Sequence, residues 1–318
     1  MNIPAHVIEW LLEPSNPSIR YRSLTELLDR SKDDPDVIAA REQIPGWKIV
    51  KKILDLIHED GDWPWTGGYD SPELGFNFLG EVGIDKSHAL VQKAADVFLS
   101  RQNANGQFPN IYFKTKYGEL RWDDQSCYIA MMLRGLVRMG FRDDSRVQKS
   151  ITFLLTQARW DGGYLCTKSY VKPGTKTKSC IRGSKCVLML FAELPELWET
   201  QQCQNLLTYF LERRVFYQRN NHAEFVKGLP RLIYPFYWEF DLLGVLLALS
   251  KMGYGNHPDV VEAWHFLDEK MNANGTFNLD WTMPKCSFKV GKKGEPNKWV
   301  TFNAYLAYHQ RVVVPSIP

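Results

Sequence analysis

Two hydrophobic patterns alternate along the chain. Segments such as Cys127–Met139 (CYIAMMLRGLVRM) and Asp241–Met252 are apolar on nearly every side, and a helix of that kind is buried all round. Segments such as Val91–Gln102 and Val147–Gln157 carry apolar residues at three- and four-residue spacing, which predicts a single buried face. Buried and half-exposed helices in alternation describe an inner and an outer ring. The pattern predicts inner helices near 71–82, 123–138, 180–193, 235–250 and 297–309, with a sixth pair involving the N-terminal segment.

The alternation is periodic. Met139-Gly140-Phe141 and Phe153-Leu154 recur as Met252-Gly253-Tyr254 and Phe266-Leu267, both 113 residues later (252 − 139 and 266 − 153). Phe98-Leu99 precedes Phe153-Leu154 by 55 residues (153 − 98), so the unit is close to 56 residues. Each outer segment ends in a glycine-aromatic turn: Gly61 to Trp63, Gly106 to Phe108, Gly162 to Tyr164 and Gly275 to Phe277. Glycine there ends a helix with positive φ and lets the aromatic ring fold back. The expected fold is an all-α α/α toroid over residues 43–318, with residues 1–42 as a helical extension packed on it.

Composition sharpens this picture in two ways. The chain holds 11 Trp, 14 Tyr and 17 Phe, enough to line a large apolar cavity as well as fill a core. The formal net charge is +3, too small to argue for nucleic acid. No stretch has the apolar length of a membrane span, and Met1 to Arg22, with Pro4, Pro14 and Pro17, lacks the layout of a secretory leader. A cytoplasmic setting is therefore expected, with its six cysteines free or metal-bound.

Ala94–Phe108 (AADVFLSRQNANGQF) and Ile151–Tyr164 (ITFLLTQARWDGGY) resemble degenerate QW motifs of squalene–hopene and oxidosqualene cyclases. Ala263–Phe277 is a weaker copy, with Met271 where Gln is expected. The resemblance runs from about Gln43 onward and extends to the β subunits of protein prenyltransferases, which share the toroid. It implies a class II terpene-cyclase-like enzyme, an isomerase or lyase, acting on an isoprenoid chain. The cyclases carry D-x-D-D-T-A before an inner helix, and Arg121–Cys127 (RWDDQSC) stands in a similar place. By that match Asp123 is the general acid and Asp124 its partner, while Arg121 replaces the first acid. A neighbouring guanidinium lowers a carboxyl's pKa, and a capping role explains either aspartate as well.

The prenyltransferase zinc site does not carry over. Asp241 has no cysteine nearby, and Asn297–His309 has no histidine at its start. No metal and no cofactor are expected, with Asp124, Cys127, Cys166 and Cys180 as the alternative metal set. Two basic stretches, Lys168–Lys185 and Lys285–Lys298, precede inner helices and could bind a diphosphate at the rim or simply be solvated. Expected substrate-binding residues are Trp122, Tyr128, Tyr164, Arg182, Tyr237, Trp238, Asp241, Trp281, Lys298 and Trp299.

The expected partner is a small-molecule isoprenoid, with no nucleic acid. Peripheral membrane contact and a second subunit stay open. So do three other functions: a non-catalytic toroid binding lipid or peptide, a metal- and thiolate-using transferase, and a glycosidase. The last would pair Asp123 or Asp124 with Glu239 or Asp241.

Overall fold

The computed structural model describes residues 2–64, 70–108, 126–166, 176–225, 227–283 and 286–313. The chain begins with α1 (Ala5–Leu11), α2 (Pro17–Arg22) with a π-helical turn at Ser23–Leu27, α3 (Pro35–Glu42) and α4 (Lys48–Leu54). Then follow α5 (Pro72–Val82), α6 (Ala89–Ser100), α7 (Ser126–Leu136), α8 (Ser145–Thr156) and α9 (Ile181–Phe191). The last four are α10 (Gln201–Leu211), α11 (Leu242–Lys251), α12 (Val261–Glu269) and α13 (Lys298–Val313). β-Pairing among the described residues is limited to isolated bridges. No helix there is long and apolar enough to cross a membrane.

The fold is an α/α toroid. Helices α5, α7, α9, α11 and α13 pack each on the next, and α13 packs on α2 with its π-helical turn. Arg22 of α2 pairs with Glu81 of α5 at 2.9 Å, which closes the ring. The inner helices bury most of their surface: every residue of α9 except Arg182 is buried. Outer helices α6, α8, α10 and α12 bury one stripe each, such as Val147, Ser150, Ile151 and Leu154 on α8. The two hydrophobic patterns of the sequence thus correspond to two layers.

The four glycine-aromatic turns share one hydrogen-bond pattern. His58, Asn103, Arg159 and Asn272 each donate N–H to the carbonyl four residues on, and accept from the glycine three residues on. Gly106 shows why glycine is needed: φ is +91°, and a Cβ would overlap the Lys149 carbonyl. The aromatics Trp63, Phe108, Tyr164 and Phe277 are all buried. Gln102, the glutamine of the first QW-like stretch, donates to Arg146 O at 2.6 Å and Ser150 Oγ at 2.7 Å, tying α6 to α8.

The fourth inner helix differs from expectation. It begins at Leu242, not near 235. Pro235 has no N–H to donate and disfavours helix in the residue before it. Asp241 then caps α11, its Oδ1 accepting from Gly244 N. The segment before the cap descends into the ring. Asn77 Nδ2 donates to Phe236 O at 2.8 Å, Lys185 Nζ donates to Tyr237 O, and the Arg134 guanidinium lies 5.9 Å from the Phe236 ring centre. Tyr234, Phe236 and Tyr237 are buried, and the space among Asn77, Met131, Lys185 and Phe236 has no room for a water.

Below this plug, at the C-terminal ends of the inner helices, lies a network of ion pairs. Glu81 pairs with Arg22 and Arg134, and Glu193 pairs with Arg138 at 2.9 Å and Lys251 at 2.5 Å. Burial opposes the Glu81 carboxylate, but Arg134, Arg138 and Arg22 outweigh it and push Glu81 down to about 2. The cavity these side chains line is only ≈ 50 Å³. This end of the ring is closed by charge.

Candidate functional site

The other end of the ring, hereafter the mouth, is formed by the N-termini of the inner helices. Here Tyr128 of α7 stacks on Trp238, ring centres 5.2 Å apart. Next to Trp238, the Glu239 carboxylate forms ion pairs with Arg182 at 3.1 Å and Arg231 at 3.9 Å. The Arg231 guanidinium lies 5.8 Å from the Trp281 ring centre, and Trp281 meets Tyr237 edge-on at 6.1 Å. Tyr237 OH reaches Cys286 Sγ at 3.8 Å, and Ser287 binds Asp70, just before α5. This chain of contacts runs around the mouth. Tyr128, Arg182, Trp238, Glu239, Arg231 and Trp281 are half-buried, whereas Tyr237 is buried.

Six expected binding residues therefore come together: Tyr128, Arg182, Tyr237, Trp238, Asp241 and Trp281. Asp241 lies beneath the mouth, 3.0 Å from Lys185 Nζ, with both side chains fully buried. Burial works against the Lys185 ammonium, but Asp241 outweighs it and holds Lys185 above its usual range. Lys185 is thus an internal counter-ion and not part of a basic rim, because one repeat separates it from its partner across adjacent inner helices.

Trp299 lies deeper still, stacked on Tyr234 at 4.5 Å with rings 8° from parallel. Tyr164 is fully buried and meets Phe191 edge-on. The structure does not bring Lys298 to this group; it binds Glu13 at 2.7 Å and faces Trp10 of α1. Trp122, Asp123 and Asp124 lie outside the described residues, as do Lys168 and Lys172 of the basic stretch.

Glu73 was not singled out from the sequence. It stands on the first turn of α5, four residues before Asn77 and eight before Glu81. Asn77 and Glu81 both face the ring centre, and i,i+4 spacing puts Glu73 on the same stripe, nearest the mouth. Gly75 faces the opposite way, toward Trp63, whose ring a Cβ there would overlap. Glu73 Oε2 is buried without a hydrogen-bond partner. Burial pushes its carboxyl above the usual range, and hydrogen bonds from its own N–H and from the Ser71 hydroxyl offset this only in part. A carboxyl whose pKa is raised by burial holds its proton to higher pH than a free one, which suits a proton donor. The spacing 73, 77, 81 is visible in the sequence, but only the buried Oε2 distinguishes Glu73 from an ordinary first-turn acid.

The cysteines also gather here. Cys166 Sγ lies 2.9 Å from Cys180 Sγ, and the Cys166 thiol also hydrogen-bonds with Cys127. Among the described residues no three His, Cys, Asp or Glu side chains are placed to hold a metal ion. A larger cleft of ≈ 430 Å³ exists at the opposite end, between α2, α5 and the end of α7. Its acids are already paired, Asp85 with Arg41 and Glu26 with Arg22, so it offers no poised group.

No protein-family model matches the sequence, and no curated protein matches it. Solved structures do match in shape. A glycosyl hydrolase of family 88 from Bacteroides vulgatus is 12% identical, with 96% of this chain and 97% of that chain covered and a TM-score of 0.55. A polysaccharide lyase is 13% identical over 97% of each chain, with a TM-score of 0.54. The apo type II terpene cyclase MstE from Scytonema is 11% identical over 85% of this chain and 98% of that one, with a TM-score of 0.34. At that score it adds nothing to the fold assignment. The first two, at such low identity, agree with the toroid and leave the activity open.

Proposed function

We propose that the protein is an acid-catalysing enzyme that takes a polar, ring-bearing substrate, an acidic saccharide, at the mouth of the toroid. Glu73 is the proton donor in this reading. The observation that carries it is the buried, unpartnered Oε2 of Glu73 on the ring-facing stripe of α5. Half-buried aromatic rings beside polar groups suit sugar faces. Two guanidiniums, Arg182 and Arg231, share one carboxylate, Glu239, which leaves positive charge for an acidic substituent. Asp123 and Asp124, just ahead of α7 in sequence, are proposed as the second carboxylate that acid–base chemistry on a glycoside or uronate needs. Fold analogy with a glycosyl hydrolase and a polysaccharide lyase supports the choice of substrate as analogy only.

The second reading is a cyclase-like enzyme protonating an isoprenoid. The raised pKa of the Glu73 carboxyl and the aromatic side chains favour it. Tyr234, Phe236 and Tyr237 filling the ring centre count against a deep hydrocarbon cavity. Native mass spectrometry with uronate oligosaccharides, their neutral counterparts and geranylgeranyl diphosphate separates the two. Selective retention of the uronate supports the first reading, and selective retention of the prenyl chain overturns it in favour of the second.

A further inference from the structure

Cys166 follows the third glycine-aromatic turn, and Cys180 is the N-cap residue of α9. Cys180 N donates to Tyr164 O at 2.8 Å, so the backbone already holds the two positions side by side. Gly183 permits the approach: a Cβ there would sit 3.2 Å from Cys166 N. The two sulfurs are 2.9 Å apart, and both residues are half-buried, not sealed in the core. Cys127, on the first turn of α7, is the third thiol of the group and is buried.

We propose that Cys166 and Cys180 form a redox-active dithiol beside the mouth, which closes to a disulfide by exchange with a small-molecule disulfide. One cysteine, as thiolate, attacks a sulfur of the small disulfide and expels one small thiolate, which takes up the proton the cysteine lost. The second cysteine then attacks the mixed disulfide and expels the other small thiol. Two protein thiols are oxidised and one small disulfide is reduced to two thiols. The Tyr164–Cys180 hydrogen bond holds the two segments together, and closure shortens the sulfur–sulfur distance from 2.9 Å to about 2.05 Å. The bond would tie residue 166 covalently to the N-cap of α9. The hydrogen bond with Cys127, and then burial, keep the Cys166 thiol above its usual range, so exchange speeds up as pH rises.

The test treats the folded, reduced protein with oxidised glutathione, quenches by alkylation and maps the cysteines by mass spectrometry. The expected result is loss of two of six thiols, a mass decrease of about 2 Da for one disulfide, and a crosslinked peptide pair containing Cys166 and Cys180. Cys180→Ser should instead hold one glutathione on Cys166 or link Cys166 to Cys127. The same mapping on wild-type protein needs no variant to fold. Six free thiols after treatment that oxidises the urea-unfolded chain would overturn the proposal, as would a wild-type linkage that omits either cysteine.

Discussion

Lys185 Nζ lies 3.0 Å from Asp241 Oδ2, and both side chains are fully buried. The two residues are 56 positions apart, one repeat unit. Removing one partner of a buried pair leaves an uncompensated charge, at a cost of about 3–5 kcal/mol. Lys185→Met should lower stability by roughly that much. Asp241→Asn keeps an oxygen for the Gly244 N–H but strands the ammonium, so it should be similarly harmful. The double variant should recover part of the loss. Urea unfolding of all four proteins gives the coupling directly, and strict additivity would mean that the pair does not interact.

The ionic end of the ring makes a pH prediction. Glu81 has its folded pKa depressed from 4.5 to about 2. A depressed carboxyl contributes stability above its unfolded pKa and loses it as pH falls through the folded one. Glu81 should therefore contribute fully above about pH 4.5 and nothing below about pH 2. Thermal melting of Glu81→Gln should lie well below wild type at pH 7 and approach it near pH 2. An offset that does not change with pH would assign the loss to packing alone.

Glu73 has the opposite sign. Its folded pKa is raised, so the folded state holds the proton more tightly than the unfolded chain. Stability from this group is complete below pH 4.5 and declines as pH rises toward the folded pKa. Glu73→Gln removes the cost of a buried carboxylate. The variant should thus be at least as stable as wild type at pH 7, and the gap should close in acid. A Glu73→Gln protein that melts lower than wild type at pH 7 would show that the carboxylate is stabilised there.

Gly106 tests the repeat. With φ at +91° and the Lys149 carbonyl where a Cβ would go, Gly106→Ala should cost about 1–3 kcal/mol. Ala substituted at Gly294, also at positive φ but with nothing within 4 Å, should cost less. Equal losses would remove the close approach to α8 as a cause.

The fold was legible because its period is local and its two helix types differ in hydrophobic pattern. The same period marks the ionic end, where Glu81, Arg138, Glu193 and Lys251 follow at about 56-residue spacing with alternating charge. Aligning the inner helices by period would have found that network. The pattern places the start of α11 too early because the aromatic run Tyr234–Phe240 has the apolarity of an inner helix, although Pro235 and Asp241 punctuate it as a plug and a cap. The aromatics themselves did not reveal which rings fill the ring centre and which border the mouth. Trp238 and Trp281 are half-buried while Trp299 is buried under Tyr234, a difference set by tertiary packing. Nothing in the sequence marks Glu73, because a glutamate on a first helical turn is commonplace and the burial of its Oε2 exists only in three dimensions.

The central claim is that Glu73 donates a proton at the mouth, and turnover by Glu73→Gln tests it most directly. Wild type and variant would be compared on whichever uronate or prenyl substrate the protein retains, with a circular-dichroism melt to show that both are folded. The account predicts a folded variant whose kcat falls by about 10²–10⁴-fold while KM changes little. A folded Glu73→Gln protein with wild-type kcat would contradict it.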